Sequence, residues 1–345
     1  GVLSLGNGSV NASWQLKDDA LRLAKFEDAA AGVAFTATMP VFTLTLANGA
    51  TIAADNHRLD ISRIRLLANG KQVAEDTHTG FANIAKSAGK YGAGIGLWMS
   101  PFGGYGMPQT LRLQAGRKLG HETNANGFSM AGKNYQTYFL DTCLRMIDKY
   151  QVNVFKFDGM GGGNFADGGE SAYANDMDAI FNVIIKGIRT ASPDAYISAT
   201  VGTWPSPFWL RHADSIWRQG ADTDFAGVGN GRERWITYRD GVCFDRICRR
   251  GPLYPLNALM LHGLVIGNRA NPARMDRDEK SIRDEIRTFF GSGTSLLELY
   301  ISPELLTPAV WDAIAESAKW AKANEDILAD VHWVGGNPRT LQVYD

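Results

Sequence analysis

The chain changes rhythm near residue 78. Before that point, short runs such as "VAFTATM" and "VFTLTLA" alternate apolar residues with threonine, and turn signals separate them: "GNGS" at 6–9, "KDDA" at 17–20, "ANGA" at 47–50 and "ANG" at 68–70. A period of two marks half-buried antiparallel strands. Residues 1–78 are therefore expected to form a partial N-terminal β-sandwich, with Asp18 and Asp19 in a hairpin turn. After residue 78 helical and strand patterns take turns. "FANIAKSAGKYG" leads into the strand "AGIGLWMSP" (93–101), and "NYQTYFLDTCLRMIDKY" (134–150) feeds "VNVFKFDG" (152–159). A long helix over 171–192 precedes the strand 195–202. Further strands are expected at 215–220, 256–267 and 295–302, with helices near 277–290 and 307–323.

Strands that alternate with helices imply parallel pairing through helical crossovers. In such folds chemistry gathers on the loops after the strands. The polar and glycine-rich stretches "SPFGG", "FDGMGGG", "TVGTWPSP" and "RQGADTD" occupy those places. The pattern favours a (β/α)8-type TIM barrel over a doubly wound sheet, with residues 79–325 as the barrel region and 326–345 opening a C-terminal β segment. The glycines after Asp158 lack the spacing of a phosphate loop or a dinucleotide fingerprint.

Composition narrows the function. The 345 residues are 45% hydrophobic and 21% charged, which is globular, and the net charge of −1 gives no basic footprint for nucleic acid. No apolar run is long enough to span a bilayer. The chain opens on Gly1 with no charged-then-apolar leader, which leaves a removed signal peptide and a trimmed chain both open. Three cysteines, Cys143, Cys243 and Cys248, are too few for a disulfide framework or a zinc site, so no metal or cofactor is expected. Cys143 reads as core, and a Cys243–Cys248 bridge is the minority reading.

Two carboxylates stand out. Asp158 ends a strand, and Lys156, two residues earlier, shares its face. A cation beside a carboxylate favours ionisation, which suits a nucleophile, and the glycines that follow leave room for a substrate. The second acid has to come from another strand; "WRQGADTD" (217–224) offers Asp222 and Asp224, with Arg218 four residues before Asp222. Glu298 reads as structural, and "GRERWITYRD" (231–240) as a solvated face. Two acids with Trp98, Trp204, Trp209 and Trp217 as platforms match the needs of glycoside hydrolysis.

"FKFDG" followed by "WRQGAD" resembles the clan of α-galactosidases and α-N-acetylgalactosaminidases, glycoside hydrolase families 27 and 36. The resemblance covers roughly residues 80–325. It implies Asp158 as nucleophile on the fifth barrel strand and Asp222 as acid/base, in a retaining double displacement. It also implies Lys156 and Arg218 as ligands to sugar hydroxyls, and Gly202, Thr203 and Trp204 as further substrate-binding positions, beside Trp98, which is taken as substrate-binding for its platform role. The preceding β region and "YPLNALMLHGLVIG" (254–267) are closer to family 36. No match to strands one to three precedes "GIGLWMSP", so the barrel is expected to lack its first strands. The substrate implied is an α-linked galactose-type oligosaccharide or glycoconjugate. Thr203 leaves N-acetylgalactosamine open; transglycosylation and a non-catalytic carbohydrate-binding remnant are the other readings. Homo-oligomers and secreted or periplasmic homologues belong to the same family picture.

Overall fold

The computed structural model describes residues 2–6, 10–17, 20–28, 31–36, 39–40, 43–45, 51–53, 67–68, 71–72, 81–160, 169–267 and 275–340. The chain divides into two compact units, Gly1–Asn83 and Ile84–Asp345. In the first, β1 (Val2–Gly6), β2 (Val10–Lys17), β3 (Ala20–Asp28) and β4 (Val33–Phe35) form an antiparallel sheet in that order, and β5 (Met39–Pro40) pairs with β3. Two hairpins join β6 (Thr43–Thr45) to β7 (Thr51–Ala53), and β8 (Leu67–Ala68) to β9 (Lys71–Gln72). Lys17 pairs with Ala20 across the expected turn; Asp18 and Asp19 themselves lie outside the described residues. The alternation of "VAFTATM" and its neighbours thus marks antiparallel strands among the described residues; residues 54–66 and 73–80 of the expected sandwich lie outside them.

The second unit is built on one parallel sheet of six strands: β10 (Ile95–Met99), β13 (Val152–Asp158), β14 (Tyr196–Thr200), β15 (Ser215–Trp217), β16 (Leu259–Ile266) and β17 (Leu296–Ile301), adjacent in chain order. The helices between them are α2 (Gly106–Lys118), α3 (Lys133–Tyr150), α4 (Gly169–Ala179), α5 (Lys186–Ala191), α6 (Gly231–Cys243) and α7 (Glu279–Phe290). A π turn over Ile180–Ile185 joins α4 to α5. Ahead of β10 lies α1 (Ala82–Gly89); a small hairpin, β11 (Thr123–Asn124) and β12 (Gly127–Phe128), follows α2, and α8 (Pro308–Ala323) and α9 (Glu325–Leu328) follow β17. This is a partial TIM-type barrel. Four parallel strands follow β13, one more than an eight-strand count with β13 as the fifth can hold. In an eight-strand count it can stand no later than fourth.

The sheet has two chemically distinct faces. Phe155 and Phe157 of β13 are fully buried on one, where the Phe157 ring lies 5.9 Å from Phe139 of α3. Under β16 and β17, Leu261, Leu264 and Ile266 pack with Ile282, Ile286 and Phe289 of α7, and Val310 and Ile314 of α8 extend the cluster. Each such side chain contributes about 1.5–3 kcal/mol by leaving water. Gly263 is required here, because a Cβ would sit 1.5 Å from the Phe289 ring.

The other face carries Trp98, Lys156, Asp158, Thr200, His262 and Glu298, and it is concave. Strands β13 and β17 are four interstrand steps apart, on the order of 19 Å in a flat sheet, yet the Lys156 ammonium and the Glu298 carboxylate touch. Side chains of that length meet only if the sheet curls around them.

One sequence expectation changes at α6 and another at α2. "GRERWITYRD" is not a solvated face: Arg232, Trp235 and Arg239 are buried, and Arg232 pairs with the fully buried Glu285 of α7. Helix α2 is absent from the sequence reading, since Gly103, Gly104 and Pro108 punctuate its start; Pro108 falls in its first turn, where proline is tolerated. Cys143 is buried, and Cys243 and Cys248 are free thiols. Residues 326–340, where a β segment is expected to begin, hold most of α9 and a single turn at Pro338–Thr340.

Candidate active site

Asp158 sits at the end of β13, largely buried, with both carboxylate oxygens engaged. Trp98 Nε1 donates to Oδ2 at 3.1 Å, and the Tyr105 hydroxyl and Thr200 Oγ1 donate to Oδ1 at 3.2 and 3.0 Å. Trp98 comes from β10 and Thr200 from β14, the strands on either side, so parallel pairing itself brings these donors to the carboxylate. Tyr105 arrives from the loop after β10. Its phenol is pushed well above the usual range by burial and by the Asp158 charge and hydrogen bond, with a smaller contribution from Asp222. One phenol thus lies in the field of both carboxylates.

The glycine after Asp158 has a concrete task. Gly159 adopts φ +83°, and a Cβ there would stand 2.9 Å from the Tyr105 hydroxyl. It turns the chain out of the strand and keeps the Tyr105–Asp158 contact open. Gly161, Gly162 and Gly163 lie outside the described residues. The next two strands end in a similar way: Val201 (φ +54°) precedes Gly202 (φ +85°), and Gln219 (φ +69°) precedes Gly220 (φ +84°). A β-branched valine in the left-handed region is strained, and such strain concentrates at functional loops.

Lys156 does not pair with Asp158, as the strand alternation suggested. Its ammonium lies over the Trp98 ring, 4.6 Å from the centroid, and its carboxylate partner is Glu298 on β17. Glu298 also accepts from the Tyr300 hydroxyl at 3.2 Å and lies 3.6 Å from His262 Nε2, which is 3.4 Å from Asp222 Oδ1. Burial, Arg218 and Lys156 push the His262 imidazole down to about 2, so it is neutral at ordinary pH and its contacts with the carboxylates are dipolar rather than ionic.

Asp222 sits on the loop after β15 with its side chain 71% exposed. Arg218 does not reach into the concavity beside it. It is fully buried, donates from Nη2 to the Ala221 carbonyl at 2.9 Å and from Nη1 to the Gln219 carbonyl, and lies against the Trp235 ring. Burial and the neighbouring Arg239 push its guanidinium down to about 10; it remains charged and pins the loop from beneath. Thr203 is likewise enclosed: its hydroxyl donates to the Ala199 carbonyl and accepts from Trp217 N–H, both at 3.3 Å. Trp204 is half exposed and meets Trp209 edge-on at 5.3 Å. Trp98 is 71% exposed and offers a ring face beside Asp158.

A cavity of about 780 Å³ reaches the site from the β10 side; Trp98, Tyr105, Arg112, Phe128, Tyr135 and Asp158 are among its lining. The structure therefore brings Trp98, Lys156 and Asp158 together on one face, with Asp222 linked to them through His262 and Glu298. It sets Arg218 and Thr203 behind that face. Tyr105, Thr200, His262 and Tyr300 are absent from the sequence reading, and Glu298 enters it only as a structural residue. His262, a lone polar residue in the apolar run "LMLHGLVI", carried the clearest signal, and Glu298 in "LLELYI" the same kind of signal. Among the described residues no group of three His, Cys, Asp or Glu side chains gathers as a metal ion would require.

No family model matches the chain, and no curated protein matches it in sequence. Solved structures do resemble it. A family 36 α-galactosidase variant from Geobacillus stearothermophilus, bound to 1-deoxygalactonojirimycin, is similar over 71% of this chain and 33% of that one, at 12% identity and a TM-score of 0.47. The α-galactosidase from Lactobacillus brevis is similar over 72% and 32%, at 14% identity and the same TM-score of 0.47. An Anoxybacillus α-amylase covers 70% of this chain and 60% of its own, at 11% identity and a TM-score of 0.42. The chain spans about a third of the length of the two α-galactosidases.

Proposed function

We propose that this chain carries the catalytic face of a retaining α-glycoside hydrolase acting on terminal α-galactosides. The observation that carries the reading is that Asp158 ends β13 and Asp222 follows β15, two interstrand steps away, where it meets His262 of the same concave face that holds Asp158. Asp158, with its oxygens steered by Trp98, Tyr105 and Thr200, attacks the anomeric carbon as the bond to the leaving oxygen breaks. Asp222 protonates that oxygen. In the second step Asp222 takes a proton from water, which displaces Asp158 from the glycosyl ester, and the configuration is retained. An exposed Asp222 suits a group that must meet both aglycone and water. Trp98 supplies an apolar face for the sugar ring, and Lys156 beside it offers hydroxyl-directed donors.

N-acetylgalactosamine enters as the alternative substrate through Thr203. Because that hydroxyl is satisfied inside the protein, the choice between the two sugars falls to other side chains. The test is release of 4-nitrophenol from the α-galactoside and its N-acetylgalactosamine analogue by the native chain and by Asp158→Asn and Asp222→Ala. We expect Asp158→Asn to abolish turnover and Asp222→Ala to lower it by about 10²–10⁴-fold. Azide is expected to restore the Asp222→Ala rate and to yield the α-galactosyl azide. A β-azide product, or unchanged turnover in either variant, removes the assignment; galactose binding without turnover by the native chain selects the non-catalytic reading.

A further inference from the structure

We propose that His262, fixed by Glu298, is the positioning residue for Asp222. This rests on the glycosidase reading and adds residues that neither motif contains.

Asp222 is carried on a loop and is mostly exposed. Among the described residues, the His262 ring is the side chain that touches its carboxylate within ion-pair range. Such a side chain, without a partner, samples several rotamers, and a general acid must hold one. His262 can impose that restraint because its own place is determined. It lies on β16 in register with Glu298 on β17. Its ring is bracketed by Trp217 at 6.4 Å, edge-on, and by Tyr300 at 5.3 Å. Glu298 is fixed in turn from two sides, by the Lys156 ammonium and the Tyr300 hydroxyl.

The chemistry also selects the tautomer. His262 Nε2 faces two carboxylates, which only accept, while Nδ1 is buried with no partner among the described residues. A neutral imidazole in this setting carries its proton on Nε2, directed at the gap between Asp222 and Glu298. With Nε2 3.4 Å from Asp222 and 3.6 Å from Glu298, that N–H faces a fixed carboxylate and a mobile one at once and can close on the mobile one to tie it to the sheet. A sugar-ligating role would instead direct that N–H into the open concavity.

The experiment compares kcat/KM for two substrates that differ in their need for acid assistance, methyl α-galactoside and α-galactosyl fluoride. For His262→Ala we expect a loss of about tenfold or more on the methyl glycoside and of less than about twofold on the fluoride, whose departure needs little protonation. His262→Gln, which retains an N–H donor, is expected to recover part of the loss. Equal losses on both substrates from a variant with native circular dichroism would overturn the positioning role. Ring ¹⁵N resonances of the resting protein provide a readout independent of turnover. The Nε2–H tautomer, with an Nε2 shift that changes in Asp222→Asn, is expected; the Nδ1–H tautomer, or an Nε2 shift indifferent to Asp222, overturns the contact. A native chain that cleaves neither glycoside removes the glycosidase reading, while the ¹⁵N result still decides whether His262 holds Asp222.

Discussion

Two cation–carboxylate pairs share the second unit, and they are built on opposite plans. Arg232 and Glu285 are enclosed where α6 and α7 pack on β16, and both side chains are essentially without solvent exposure. Both Glu285 oxygens are used: one meets Arg232, and the other accepts from Trp235 Nε1 and Val265 N–H at 3.0 Å each. Arg232 also donates to the Val265 and Asp276 carbonyls. Lys156 and Glu298 lie in the concavity with 14% and 15% exposure, and their neighbours are left unfinished: His262 Nδ1 is unpartnered among the described residues and Asp222 faces solvent. A pair that fastens helices to a sheet satisfies its own valences. A pair at a site leaves some for a ligand.

Removing each carboxylate should separate the two plans most sharply. Glu285→Ala leaves a buried guanidinium uncompensated and is expected to cost about 3–5 kcal/mol. Glu298→Gln, in a partly open site, should cost about 2 kcal/mol or less while lowering turnover. Urea unfolding measures both, and equal costs would erase the distinction.

A smaller contrast lies in acid. The folded His262 titrates near 2 against an ordinary 6.5, so below pH 6.5 the unfolded chain takes up a proton that the folded chain refuses. Its contribution is complete above pH 6.5 and is lost as pH falls toward 2, with a slope approaching about 1.4 kcal/mol per pH unit. Urea midpoints at pH 7 and 4.5 should therefore converge in His262→Gln relative to the native chain. A native chain and variant with equal acid sensitivity would show the imidazole to be solvated.

Least in size is the effect of glycine geometry. Gly159→Ala is expected to cost about 1–2 kcal/mol from its left-handed backbone, with an added term from the Tyr105 hydroxyl. Gly32→Ala, at φ +64° with nothing within 4 Å of the new Cβ, isolates the backbone share. Thermal melts of the two variants should differ by the crowding alone; matching losses would mean that Tyr105 gives way freely.

What the sequence discloses follows the range of the forces involved. Strands β13, β16 and β17 are legible because each is a short apolar run bounded by turns, and the shared face of Lys156 and Asp158 follows from strand alternation alone. The charged text of α6 misleads, since periodicity sees Arg232 and Arg239 but not Glu285, about fifty residues downstream. Helix α2 is obscured by its flanking glycines and by the apolar residues it exposes, Met107 and Leu111 among them. The site divides in the same way. Asp158 is readable at a strand end, whereas Tyr105, Thr200 and Glu298 become neighbours only through the pairing and curl of the sheet. Lys156 is the instructive case: its face is predictable, and its partner, 142 residues away, is not.

The contact between Lys156 and Glu298 is also a mechanical part. It spans the chord of an arc whose circumference is β13 to β17, so the two side chains brace the curled face from within. A ligand group that competed for Lys156 would draw on the same brace.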